Sequence, residues 1–216
     1  RSTHNRGRKI HHGFESHRSY LLINTQGEAG KYSSKNKIIM NKKDAWIRTY
    51  TGGKVYFFEP ERSEITIEDI AHSLSLLCRY NGACREFYSV AQHSVIVATQ
   101  VMEETKDPAK AFQGLMHDGS EAFLSDVPRP FKTEFEGYKE AEERFEAWLA
   151  EKFSYGFPYD PIVRKHDMRC LVTEMRDMMV GKDYLNMDTE PYKEVIEPWS
   201  PKVSKDTFLN IFNFLS

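Results

Sequence analysis

No run of 18 or more apolar residues occurs in this 216-residue chain, so no transmembrane helix is expected. Cysteine is scarce: Cys78, Cys84 and Cys170 are scattered and form no C-x-x-C pair. That odd set argues against a disulfide framework and fits a reducing, cytosolic setting, with each thiol expected as a small buried hydrophobe. Acids are nearly missing from residues 1–39. Glu15 and Glu28 face eight Lys and Arg there, a charge of +6 that leaves −8 on the remainder. The same segment lacks apolar periodicity, and its longest apolar run, "YLLI", is too short for a signal-peptide core. Residues 1–39 are expected to be a disordered basic tail, with the domain spanning 40–216. A basic tail would suit nucleic acid or a transit peptide. The −8 of the remainder argues against a broad nucleic-acid surface, so no nucleic-acid or membrane partner is expected.

What is present is one core's worth of apolar residues, 40% of the chain, in helical periodicity. "WIRTYTGGKVYFF" alternates β-formers around Gly52-Gly53, a hairpin signal. "ITIEDIAHSLSLLCRY" places Ile67, Ile70, Leu74 and Leu77 at helical spacing, with Glu68 and Asp69 in the first turn. Helices are also expected in "VAQHSVIVATQVMEE", in "PAKAFQGLMHDGSEAFL" and in "GYKEAEERFEAWLAEKF". A fifth, "IVRKHDMRCLVTEMRDMMV", is expected to end at Gly181. The last, "SKDTFLNIFNFL", is expected to be capped by Ser204. The fold class is therefore all-α, about six helices behind a small N-terminal β-hairpin.

"LMHDGSEAFLSDVPRPFK" sets polar groups into what otherwise reads as a buried helix, where polar groups need partners or a metal. On a continuous helix, His117 and Glu121 would lie about 40° apart and Asp118 and Glu121 about 60° apart, all on one side. Two further candidates sit on other helices. His93 is flanked by apolar residues in "VAQHSV". Asp167 opens the stripe Asp167, Cys170, Leu171, Glu174, while its neighbour His166 is expected to face solvent. Each is weak alone; jointly His93, His117, Asp118 and Asp167 make a mixed imidazole and carboxylate set. Such a set suits one divalent ion, Mn, Fe, Co, Ni, Zn or Mg, with positions open for water and substrate.

This pattern resembles the H…HD…D signature of the HD-domain metal-dependent phosphohydrolases. "HDGSEAFLSDVPRPFK" looks like the HD-x-x-E-x-x-x-x-D-x-P-x-P-x-K segment of the bacterial 5′-deoxynucleotidase branch. "CRYNG…FYSVAQHS" is similar to segments there and in phage dATP triphosphohydrolases. The resemblance covers about Trp46 to Asp177. It implies an HD-domain helical bundle, with His93, His117, Asp118 and Asp167 as metal ligands. Glu121 and Asp126 would hold and activate the attacking water. Arg79, Lys132 and, more weakly, Arg129 would bind substrate phosphate, and Tyr80 would contact sugar or base. The implied reaction is cleavage of the 5′-phosphoester of a small-molecule deoxynucleotide, leaning to triphosphates such as dATP, in a bacterial or phage-infected cytoplasm. Related enzymes assemble as homo-oligomers, and the aromatic last helix would suit that. Two alternatives stand beside this: a 5′-deoxynucleotidase on monophosphates, and a non-catalytic, metal-stabilised module binding nucleotide or nucleic acid. Nothing specific supports an HD hydrolase of cyclic or alarmone nucleotides.

Overall fold

A computed structural model describes residues 44–128, 132, 134–135 and 137–216. The expectations for residues 1–39 and for Arg129 lie outside the described residues. The hairpin forms as β1 (Trp46–Arg48) and β2 (Lys54–Tyr56), antiparallel, with Ile47 opposite Val55. Gly52 turns the chain with φ +96°, a left-handed backbone that glycine adopts without a Cβ clash. Gly53 has a different reason to be small: a Cβ there would meet the Glu64 carbonyl oxygen at 1.9 Å.

The helices follow as α1 (Ile67–Leu76), α2 (Val90–Thr105), α3 (Pro108–Met116), the single turn α4 (Glu121–Leu124), α5 (Tyr138–Phe153), α6 (Pro161–Asp177) and α7 (Pro201–Leu215). Among the described residues none is long and apolar enough to cross a membrane. The start of α1 is a capping box. Thr66 Oγ accepts from the Asp69 N–H, and Asp69 accepts in return from the Thr66 N–H. Asp69 also accepts from the Thr51 N–H and hydroxyl, so one buried carboxylate ties the hairpin to α1.

The main core gathers Val55, Ile70, Leu74, Val95, Leu115, Met116, Phe145, Leu149 and Phe208 from the hairpin and five helices. A second cluster packs α2 against α6 through Val97, Val101, Val163 and Cys170. Helix α7 lies against α1, α2 and α3, with Phe208 fully buried. All three cysteines are free; Cys170 is buried, while Cys78 and Cys84 are half-buried.

Three expected boundaries are corrected. The third helix is not continuous from Pro108 to Leu124. It stops at Met116, and tight turns carry the chain through His117–Ser120, with the Gly119 N–H donating to the Met116 carbonyl and the Glu121 N–H to that of Asp118. A Cβ on Gly119 would meet the Met116 carbonyl oxygen at 2.9 Å and Leu149 at 3.7 Å, so the turn packs close to α5. Helix α6 ends at Asp177, four residues before Gly181. Helix α7 is capped by Ser200, whose hydroxyl accepts from the Val203 N–H, with Pro201 in the first turn. Ser204 is buried inside the helix and donates its hydroxyl to the Ser200 carbonyl.

Candidate metal centre

Three parts of the fold bring the four expected ligands together. Helix α2 supplies His93, fully buried; the turn after α3 supplies His117 and Asp118; α6 supplies Asp167. His93 Nε2 lies 3.3 Å from His117 Nε2, 3.3 Å from Asp167 Oδ1 and 3.5 Å from Asp118 Oδ2. His117 Nε2 lies 3.3 Å from Asp118 Oδ1 and 3.9 Å from Asp167 Oδ1. Two ligand atoms each bonded to one ion at about 2.1 Å stand about 3.0–3.4 Å apart. The three separations of 3.3 Å fall in that range, while those of 3.5 Å from His93 to Asp118 and 3.9 Å from His117 to Asp167 lie outside it. The ligand atoms of His93, His117 and Asp167 all lie within 4.8 Å of one another, so these three could hold a metal ion. Asp118 and Asp167 are about a fifth to a quarter exposed, which leaves the centre open on the carboxylate side.

Both imidazoles are oriented from behind. His117 Nδ1 is 2.8 Å from the Gly114 carbonyl and His93 Nδ1 is 2.7 Å from Glu174 Oε1. Both oxygens only accept, so both Nδ1 atoms carry protons and both Nε2 atoms point at the shared centre. Two lone pairs at 3.3 Å repel unless a proton or a cation stands between them. Burial and Arg79 oppose a positive charge on His93, yet Glu174, Cys170 and Asp167 outweigh them and raise its proton affinity. Burial alone would raise the Asp167 carboxyl, but His93, His117 and Arg79 hold it well below the ordinary range.

Glu174 was visible in the sequence only as a member of the Asp167 stripe. It is fully buried and accepts from Arg79, Tyr80, Tyr88, His93 and Cys170. Burial would raise its carboxyl, but Arg79 and His93 keep it ionised well below the usual range. A second trio, His93, Cys170 and Glu174, is also close enough for a metal. Its three atoms are already joined by hydrogen bonds into Glu174, and all three residues are buried, so it reads as support for His93.

The other candidates fall at the rim. Arg79 lies three residues beyond α1 in a 3₁₀ turn (Arg79–Gly82), buried, with Nη1 3.4 Å from Asp118 Oδ2 and Nη2 3.2 Å from Glu174 Oε2. Tyr80 and Asn81 follow with φ of 56° and 51°, two successive left-handed residues that are not glycine. The Tyr80 hydroxyl donates to Glu174, so that end of the ring is turned inward. Glu121 is buried, with Oε2 lacking a hydrogen-bond partner and Oε1 3.8 Å from Lys132 Nζ. Burial, Asp118 and Asp126 push its carboxyl well above the ordinary range, against Arg79 and Lys132. Lys132 Nζ bonds Glu142 of α5 at 2.6 Å. Asp126 is half-buried, one residue past Ser125, whose φ is 70°. His166 does not face solvent: it is 2% exposed, with Nδ1 2.7 Å from the Tyr192 hydroxyl and Nε2 3.2 Å from Glu104. Its ring points away from the centre that its neighbour Asp167 serves because Tyr192, stacked nearly parallel to it, covers that face of α6.

No family model matches the chain. An uncharacterized protein of Rhodobacter capsulatus is 33% identical over 121 residues, covering 54% of this chain and 61% of its own length. The uncharacterized protein YfdR of Escherichia coli is 36% identical over 180 residues, covering 80% of this chain and 96% of its own length. With YfdR matched along nearly its whole length, the chain belongs to the family of that protein.

Proposed function

We propose that this chain is a divalent-metal-dependent phosphohydrolase of the HD-domain type, cleaving the 5′-phosphoester of deoxynucleotides. The observation that carries the reading is the pair of Nε2 atoms 3.3 Å apart, flanked by Asp118 and Asp167, with both Nδ1 protons committed elsewhere. A divalent ion held by these four residues would polarise a phosphoryl oxygen and make water a better nucleophile at neutral pH. Arg79 neutralises phosphate charge from beside Asp118, its planar fork suited to two phosphate oxygens. Glu121 takes the proton of the attacking water. Its buried, unpartnered Oε2 suits that task. Asp126 orients the same water, and Lys132 reaches the phosphate by leaving Glu142. Tyr80 fixes the turn that carries Arg79.

The sequence leans to deoxynucleoside triphosphates such as dATP. Among the described residues, both cationic side chains near the site, Arg79 and Lys132, are already matched by carboxylates. Assay with Mn²⁺ or Co²⁺ against dAMP, dATP and ATP separates the readings. Inorganic triphosphate released from dATP, with none of the phosphate released from dAMP, selects the triphosphohydrolase. Phosphate from dAMP alone selects the nucleotidase. No hydrolysis of any of the three with either metal refutes the function.

A further inference from the structure

Arg79 divides its guanidinium between two carboxylates of different kinds. The Nε and Nη2 edge rests on Glu174 at 3.3 and 3.2 Å, deep in the core. The Nη1 end reaches Asp118 Oδ2 at 3.4 Å, at the open centre. Glu174 divides its own oxygens in the same way. Oε2 holds Arg79 and the Tyr80 hydroxyl, while Oε1 holds His93 Nδ1, the Tyr88 hydroxyl and the Cys170 thiol. One buried side chain thus grips a candidate metal ligand with one oxygen and the candidate phosphate-binding arginine with the other.

We propose that Glu174 is a positioning residue that couples cation binding at His93 and Asp118 to anion binding at Arg79. The coupling follows from charge. A cation on Asp118 draws that carboxylate's negative charge away from Arg79, which frees Nη1 for a phosphate oxygen. Glu174 keeps the other edge of the guanidinium fixed, so Nη1 stays aimed at the centre and does not swing away. The same carboxylate holds the His93 ring in the tautomer that presents Nε2, and loss of such a partner commonly weakens metal binding tenfold to about a hundredfold. The left-handed backbone at Tyr80 and Asn81 is held in the same way, through the Tyr80 hydroxyl on Glu174. This inference rests on the metal and phosphate assignments proposed above.

The test is binding, not turnover. Mn²⁺ and inorganic phosphate are titrated by calorimetry, separately and together, into the full chain and into Glu174→Gln and Tyr88→Phe. Each protein's thermal unfolding is recorded as a check of folding. In the wild type, saturating Mn²⁺ is expected to tighten phosphate binding at least tenfold, and phosphate to tighten Mn²⁺ by the same factor, as linkage requires. Glu174→Gln keeps the volume and removes the charge. It is expected to lower Mn²⁺ affinity tenfold or more and to reduce the mutual factor to about one. Tyr88→Phe removes one neutral donor and leaves the carboxylate, so both quantities stay within about twofold. If Glu174→Gln does not fold, Glu174→Asp, which keeps the charge one methylene shorter, is read instead, with the mutual factor expected to fall at least threefold. A folded Glu174 variant with the wild-type factor overturns the coupling alone. A wild type that binds no Mn²⁺ overturns the metal centre and the coupling with it.

Discussion

His93 Nε2 and His117 Nε2 stand 3.3 Å apart at the meeting of α2 and the turn after α3, and each imidazole is pinned by its other nitrogen. Neither ring can turn its lone pair away without giving up a hydrogen bond to Glu174 or to the Gly114 carbonyl. Holding two lone pairs together costs stability unless something positive sits between them. A proton on His93 or a bound cation fills that role, and the flanking carboxylates of Asp118 and Asp167 favour either positive charge.

The first prediction concerns that cation. Asp118→Ala removes a proposed ligand lying near both histidines and also an ion-pair partner of Arg79. The variant is expected to lose bound metal, read as metal per chain after dialysis against Mn²⁺ and as the loss of visible Co²⁺ absorption. Phosphohydrolase activity is expected to fall at least about a hundredfold, the scale of losing several kcal/mol of charge stabilisation. Full metal content together with full activity would sink the assignment.

The turn that delivers His117 and Asp118 gives a second prediction. In Gly119→Ala the new Cβ meets the Met116 carbonyl oxygen at 2.9 Å, and backbone, unlike a side-chain end, cannot simply move aside. Overpacking of this sort costs about 1–3 kcal/mol. Urea unfolding should show that loss, and Mn²⁺ affinity should fall in step because the displaced atoms neighbour two proposed ligands, His117 and Asp118. A stability change without any change in Mn²⁺ affinity would show that the turn does not set the ligand geometry.

Glu146 of α5 supplies a third, through pH. Burial, then Glu142 and Asp118, push its carboxyl from the ordinary 4.5 up to about 8, against Lys132 and the Ser120 hydroxyl. Between those two values the folded state holds a proton that the unfolded state has lost. Stability from this group therefore falls as pH rises through that window and is constant above it. Glu146→Gln imitates the protonated form. Urea unfolding with EDTA present should find it equal to wild type at pH below about 4.5 and more stable above about 8, by on the order of 3 kcal/mol. Equal stability of the two proteins above that value would refute the shift.

Asp69 behaves with the opposite sign. Burial raises its carboxyl, but N–H and hydroxyl donors from Thr51 and Thr66 outweigh that and lower it below the ordinary 3.8. Its contribution is present at neutral pH and is lost as pH falls through the lowered value. Asp69→Asn turns an amide NH₂ toward those donors and is expected to cost about 2–3 kcal/mol at pH 7. The gap from wild type should narrow in acid below about pH 4. A constant gap from pH 7 to pH 3 would mean the charge is not what joins the hairpin to α1.

Much of the site could be read along the chain because its parts are local. His117-Asp118 are adjacent, and His93 and Asp167 stand on helices whose apolar periodicity predicts them. The Glu174 assembly could not be read in that way. Its partners Arg79, Tyr80, Tyr88 and His93 lie 81 to 95 residues away in sequence, and no spacing rule joins them. A signal did exist, since an acid in line with Cys170 on α6 needed a partner. The Ser200 cap was likewise signalled by Pro201, a residue favoured in the first turn of a helix. His166 was misread because Tyr192, which covers it, arrives from a segment without helical or strand periodicity.

The sequence by itself determined that the domain is helical, that a hairpin precedes the helices, and that two histidines and two aspartates stand where one centre could collect them. Periodicity and turn chemistry are local properties, and local properties are written along the chain. Only the tertiary structure decided that the helix breaks at Met116, that Lys132 rests on Glu142, and that a buried glutamate links His93 to Arg79. Those outcomes depend on which surfaces meet. A close approach to Leu149, a carboxylate within reach of an ammonium and five donors around one acid exist only after packing brings distant segments together.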